Sequence, residues 1–200
     1  MSRPRKNQIE LAAIPRIEKA FWKLLAEKPY SKMTVTDIIL EAGIHRNAFY
    51  YHFTCLEDMA QYMVKSIIIE DFPAILISRI NEQEDFAKAI KTPQLYERYE
   101  RVCLVAGDNS STELTKILRD SIRDNWYKAL GLSQDFADDE LKLAVEFVMG
   151  GTMSMLAYRN ELTSGDLPPI VYNSEFLKMI SGYMASRQAT PSIPSNSCSS

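Results

Sequence analysis

The stretch MTVTDIILEAGIHRNAFYYHFTCLEDM, residues 33–59, decides how this chain reads. Thr34 stands three residues before Asp37, a variant of the capping box that opens a helix, and Ile38 and Ile39 are expected to face inward. Gly43 ends that helix, because a positive φ is cheap only for glycine. A two-residue turn, Ile44-His45, leads into a second short helix from about Arg46 to His52. Thr54 is expected to cap the next helix, with Glu57 at the capping-box position; Met59, Tyr62, Met63 and Ile67 continue its period to about Glu70. Two short helices across a tight glycine turn describe a helix-turn-helix.

The residue types in that frame suit a duplex. Val35, Ile38, Ala42, Ile44 and Phe49 supply a mini-core that fixes how the two helices cross. Arg46 and Asn47 begin the second helix, where Arg forks onto guanine and Asn onto adenine. Thr36, on the exposed face of the first helix, is a further candidate for a base contact. Tyr50, Tyr51, His52 and Thr34 offer donors for phosphate oxygens.

Other chemistries fit less well. His45 and His52 are seven residues apart with the turn between them, and no acidic or cysteine ligand completes a set at metal spacing. His52 with Cys55 would be a Cys–His pair lacking an orienting third group and a nucleophile-elbow context. Neither a metal, nor a cofactor, nor an enzymatic role is expected. Phe49 and Phe53 are expected in the core. Cys55, Cys103 and Cys198 are odd in number and unpatterned, which argues against a disulfide framework. One or two of them are expected as small buried hydrophobes, with Cys198 a thiol in the tail.

Outward from the motif the pattern stays helical. Pro15 to Lys28 places Ile17, Ala20, Phe21, Leu24 and Leu25 at helical spacing, stopped by Pro29. PQLYERYERVCLVAG and TELTKILRDSIRDNWYKALG are amphipathic runs, and residues 74–92 read as one helix and a loop. DDELKLAVEFVMGGTMSMLAYRNEL and NSEFLKMISGYMASR are the two last helices, with Leu141, Val145, Val148, Met149, Thr152, Met155 and Leu156 on one broad face of the first. Gly150-Gly151 weakens that helix by about 1 kcal/mol each against Ala, which suggests a close helix–helix approach or a kink. The end QATPSIPSNSCSS is Ser/Pro-rich and is expected to be disordered.

Charge supports the division. Residues 1–66 carry ten Lys/Arg against seven Asp/Glu, so a chain of net charge −3 has a basic head and an acidic body. No apolar run approaches the ~20 residues of a membrane span, and no secretory leader is evident, so a soluble cytoplasmic protein is expected.

Residues 14–60 resemble the DNA-binding domain of the TetR family of bacterial transcriptional regulators. The resemblance rests on Thr34-Val35, Asp37-Ile38, Ala42-Gly43-Ile44, Phe49-Tyr50-Tyr51-His52-Phe53 and Glu57. The chain departs from the family pattern at Pro29 (usually Gly), Ile39 (usually small), His45 (usually Ser or another cap) and Leu56 (usually a Lys touching phosphate). Restoring Lys at position 56 is accordingly expected to tighten DNA binding.

The resemblance implies an all-α chain of about nine helices. A helix-turn-helix domain (1–57, of which 1–13 form an arm) would precede a larger helical regulatory and dimerisation domain (58–187) and a tail (188–200). The arm SRPRKN either enters the minor groove or merely solubilises the end. The implied function is a DNA-binding transcriptional regulator, a homodimeric repressor on a palindromic double-stranded operator, released by a small-molecule effector. Pairing through the last two helices would involve Val145, Met149, Thr152, Leu156, Phe176, Ile180 and Tyr183. An effector cavity would draw on Tyr96, Tyr99, Trp126, Tyr127 and Met153, with Met149 and Tyr158 as further candidates. The alternative is a TetR-like scaffold acting through a protein partner as a co-activator, with DNA binding weak or absent.

Overall fold

The computed structural model describes residues 13–70, 73, 92–131, 138–158 and 175–188, and all regular structure among them is helical. The expected arm, the segment between residues 74 and 91 and the tail lie outside the described residues.

Helix α1 (Ala13–Glu27) turns Ile17, Ala20, Phe21, Leu24 and Leu25 into the core, as their spacing requires. Pro29 ends it and leads into a single 3-10 turn, Tyr30–Lys32. Helix α2 (Val35–Ala42) opens with the expected capping box: the Asp37 amide donates to Thr34 Oγ1 at 3.2 Å, and the Thr34 amide donates to Asp37 Oδ2 at 2.8 Å. Gly43 closes it at φ 59°, with its amide on the Ile39 and Leu40 carbonyls. Helix α3 (Arg46–His52) follows at the expected bounds, and α4 (Leu56–Ser66) comes next.

The start of α4 differs from expectation. Cys55, not Thr54, is the N-cap: its Sγ accepts from the Asp58 amide at 3.4 Å. Asp58, not Glu57, reaches back, and its Oδ2 accepts from the Thr54 amide at 2.8 Å. The N-cap thus lies one residue further on with a sulfur acceptor, and the return bond from Asp58 goes to the amide preceding the cap. Cys55 is therefore exposed and occupied in capping, while Cys103 is half-buried, so neither is a fully buried hydrophobe. The helix also ends at Ser66 rather than near Glu70, with Ile67 as its buried C-cap.

Beyond α4 lie α5 (Pro93–Ala106), α6 (Thr112–Ala129), α7 (Asp139–Tyr158) and α8 (Glu175–Gln188). Pro93 occupies the first helical position of α5, where its missing N–H is harmless, and Ser111 caps α6 through the Leu114 amide. One apolar core runs from Ile17 in α1 through Ile38, Phe49 and Met59 to Val105, Leu118 and Leu156. The boundary expected at residues 57/58 falls inside α4, whose residues Leu56, Met59, Ala60, Met63 and Val64 belong to that core.

Polar ties cross the same junction. The Asn109 side chain, in the α5–α6 loop, donates to the Leu25 carbonyl at 3.0 Å, and the Tyr30 amide donates to the Asn109 carbonyl at 2.7 Å. Arg101 of α5 pairs with Glu18 of α1 and lies over the Trp22 ring, 5.4 Å from its centroid. None of the described helices is long and apolar enough to cross a membrane.

Candidate nucleic-acid interface

The support for α3 comes from its buried side. Phe49 is fully buried and packs on Phe53 with ring centroids 5.8 Å apart; Phe53 in turn meets Tyr62 of α4. Ile38 and Ala42 are buried beside them, and Val35, Ile39 and Ile44 pack against the same cluster. Removing a ring such as Phe49 from a core costs about 3–5 kcal/mol, so α3 is held firmly although it spans only seven residues.

The opposite side presents polar groups. Arg46 and Asn47 are exposed at the start of α3, and Thr34 and Thr36 are exposed on α2. The Arg46 guanidinium lies 5.5 Å from the centroid of the Tyr50 ring, one turn on, and Nη2 is 3.5 Å from the Tyr50 hydroxyl. Tyr50 thus acts as a platform that limits where Arg46 can point. Tyr51 is 66% exposed and stands edge-on to the half-buried His52 ring at 4.9 Å. His45 caps α3 with backbone alone: its carbonyl accepts from Ala48 at 2.9 Å, and its side chain makes no capping bond. Among the described residues no group of three His, Cys, Asp or Glu could hold a metal ion.

Leu56 requires a correction. It is only 9% exposed, on the same face as Met59, Ala60 and Met63, and so belongs to the core rather than to a DNA-facing edge. A lysine there would have to bring its charge up against apolar neighbours, so tighter binding is no longer expected from that substitution. The exposed groups at the start of α4 are the carboxylates of Glu57 and Asp58.

Part of the basic head also proves to be committed internally. Lys23 pairs with Glu41 at 2.7 Å, Lys28 with Asp37 at 2.9 Å, and Arg16 Nη2 donates to the Gly43 carbonyl at 2.6 Å. The hydrogen bond from Lys28, with further bonds from Thr34, holds the Asp37 carboxyl below the usual carboxylate range. The bond to Glu41 likewise raises the Lys23 ammonium. Near the α4 start, burial and the neighbouring Glu57 push the Tyr30 hydroxyl up to about 12. These contacts join residues 9 to 27 positions apart, beyond the reach of local spacing rules.

With that geometry in place, comparison with known proteins is informative. Residues 17–63, from α1 to α4, match the family described as bacterial regulatory proteins, tetR family. The matched residues are those of the helix-turn-helix and the helices on either side of it. The matched span is less than half of the chain, and no curated protein matches the sequence. Among solved structures, the chain is similar to the TetR family repressor AlkX from Dietzia sp. strain DQ12-45-1b, implicated in biodegradation of n-alkanes. The identity is 13%, over 86% of this chain and 95% of that one, with a TM-score of 0.39. That likeness is too distant to carry a functional argument.

The aromatic residues considered for an effector are scattered between interior and surface. Trp126, Tyr127, Met149 and Met153 are buried, Tyr99 is half-buried, and Tyr96 and Tyr158 are exposed. A groove of about 820 Å³ lies instead along the α5–α6 loop and one face of α6, where Ser110, Thr112, Lys116, Arg119 and Asp124 contribute to its walls. None of the aromatic candidates lines it.

The residues considered for pairing divide in the same way. Val145, Met149 and Leu156 are buried within the chain, and Thr152, Ile180 and Tyr183 are half-buried; the Phe176 side chain lies outside the described set. Tyr183 donates to Glu140 at 3.0 Å, tying α8 to α7. The outer side of α7 carries Leu143 (72% exposed), Phe147 (62%), Gly150, Gly151, Ser154 and Tyr158, at helical spacing.

Proposed function

We propose that this transcriptional regulator is a homodimeric repressor that binds a palindromic double-stranded DNA operator through α3. The observation that carries the reading is the placing of Arg46 and Asn47: both are exposed at the start of a short helix whose other side is anchored by the fully buried Phe49. A helix presented this way puts its first side chains on base edges in the major groove. Thr36 is assigned a supporting base contact, and Thr34, Tyr50, Tyr51 and His52 phosphate contacts.

Dimerisation is assigned to α7 and α8. Val145, Met149 and Leu156 are already occupied by the chain's own core, so the seam is proposed on their exposed neighbours Leu143 and Phe147 of α7 and Met179 of α8. Gly150 and Gly151 support this: neither has any atom within 4 Å of where a Cβ would stand, so the fold of one chain does not require glycine there, whereas close approach of a second helix does. A small-molecule effector is assigned to act through the single apolar core that joins α1 and α4 to α5, the route by which a change in the later helices reaches the helix-turn-helix.

The test is selection of bound duplexes from a random pool by the full chain. The reading predicts enrichment of an inverted repeat with half-sites spaced for two α3 helices; recovery of unrelated sequences with no repeat would overturn it. One observation favours a second reading, a TetR-like scaffold working through a protein partner: the first turn of α4 carries exposed carboxylates, Glu57 and Asp58, and no cation. That reading predicts no salt-sensitive complex with any duplex.

A further inference from the structure

We infer that Arg16 is a positioning residue for α3, acting through the Gly43 carbonyl to set where Arg46 and Asn47 stand; the inference rests on the DNA-binding reading above. Arg16 lies on the exposed side of α1, and its Nη2 donates to the Gly43 carbonyl oxygen at 2.6 Å, across 27 residues of sequence. That carbonyl belongs to the turn between α2 and α3. The other side of the turn is closed by α2 itself: the Gly43 amide bonds to Ile39 and Leu40, and the Ile44 amide to Ile39 at 3.2 Å. The next polar anchor, the side chain of the N-cap residue His45, makes no capping bond. Arg16 is therefore the charged tie between the last hydrogen bond of α2 and the first of α3, and a charge-assisted bond is stronger and more directional than a neutral one.

Steric evidence agrees. A Cβ on residue 43 would stand 2.8 Å from Arg16 Nη2, so the guanidinium fills space that only glycine leaves open. Gly43 meets two demands at once, the left-handed backbone at φ 59° and the approach of Arg16. Two other cations, Lys23 of α1 and Lys28 just beyond its end, tie this part of the chain to α2 differently. Lys23 and Lys28 bind the side chains of Glu41 and Asp37, whereas Arg16 grips the backbone of the turn. Because its guanidinium is engaged there, Arg16 is assigned no phosphate contact despite its exposure.

Specific and non-specific binding differ in what they require of α3. Bidentate contacts to base edges tolerate only small displacements, while phosphate contacts on long side chains tolerate more. Loss of Arg16 should therefore weaken operator binding without weakening background binding.

The experiment compares wild type, Arg16→Ala and Arg16→Lys on the selected operator and on a scrambled duplex across a salt series, with amide hydrogen exchange of the free proteins in parallel. Arg16→Ala is expected to weaken operator binding about tenfold, the size of one lost bidentate base contact. It should leave the scrambled duplex and the salt slope unchanged, and speed exchange at Ile44 to Asn47 with no change in α5. Arg16→Lys should recover part of the affinity. A salt slope lower by about one, with equal loss on both duplexes, would make Arg16 a phosphate contact and overturn the proposal. So would unchanged operator binding by Arg16→Ala, or faster exchange throughout α1 and α5, the mark of a merely structural role. Should wild type bind no duplex, the DNA-binding reading itself fails, while faster exchange at Ile44 to Asn47 still decides whether Arg16 holds the turn.

Discussion

Helices α1 and α7 are both long and rich in apolar residues, yet they use them differently. In α1 the apolar residues Ile17, Phe21, Leu24 and Leu25 all face the core, and the exposed side carries Arg16, Lys19 and Lys23. In α7 the core takes Leu141, Val145, Met149, Met153 and Leu156, while Leu143, Phe147 and Tyr158 face outward. A helix that is apolar on one side is satisfied by one chain; a helix apolar on both sides needs a second surface to cover it. The contrast supports the proposed division of tasks, with DNA recognition built within one chain and pairing built on the outer side of α7.

The sharpest way to break the contrast is to charge the outer side of α7 and α8. Leu143→Glu combined with Met179→Glu should abolish the dimer, read as a halving of mass in sedimentation, while the helical spectrum stays unchanged. A dimer that survives both substitutions would place the seam elsewhere. An equivalent change on the inner side, Val145→Glu, serves as the control and should unfold the chain, because Val145 is fully buried.

Next in size is Leu56→Lys. Since Leu56 packs with Met59 and Met63, the substitution should lower stability by about 1–3 kcal/mol in denaturant unfolding. It should not steepen the salt dependence of DNA binding. A stable variant with a slope raised by about one would return Leu56 to the DNA-facing edge.

The smallest effect is on pH. The Asp37 carboxyl is held below its ordinary value by Lys28 and Thr34, so it remains charged in the folded chain where the unfolded chain has begun to protonate. Its contribution is present at neutral pH and above the ordinary carboxylate range, and it is lost as pH falls through the lowered value. Asp37→Asn should therefore lower stability at neutral pH and flatten the loss as pH falls through and below the ordinary carboxylate range. An acid profile identical to wild type would mean that the Thr34–Asp37–Lys28 group adds nothing to α2.

The helix-turn-helix was legible in the sequence because its signals are local. The Thr34–Asp37 box, the glycine at position 43 and the bounds of α3 each depend on residues within a few positions of one another. Chemistry or distance that departs from such rules leaves no local signal. A thiol is an uncommon cap, so local rules favour Thr54 over Cys55. Leu56 looked like a lost phosphate contact because the family pattern carries a charge there, but its own helix turns it inward. The ties from Arg16 and Lys23 to α2 cross 27 and 18 residues and leave no periodic trace. In α7 both faces are apolar, and Val145 and Met149, named for a seam on the strength of the resemblance, are buried within the chain itself. The groove beside α6 is lined by hydroxyls and charges at an ordinary amphipathic spacing, which marks a solvated face as readily as a cleft.

On the proposed function, α3 reads bases through Arg46. The most direct test is the affinity of Arg46→Ala for the selected operator relative to a scrambled duplex at one salt concentration. A loss of about 1–3 kcal/mol on the operator alone, with preference relaxed at one base pair in each half-site, is the predicted result. Equal loss on both duplexes would reduce Arg46 to a phosphate contact and contradict the claim.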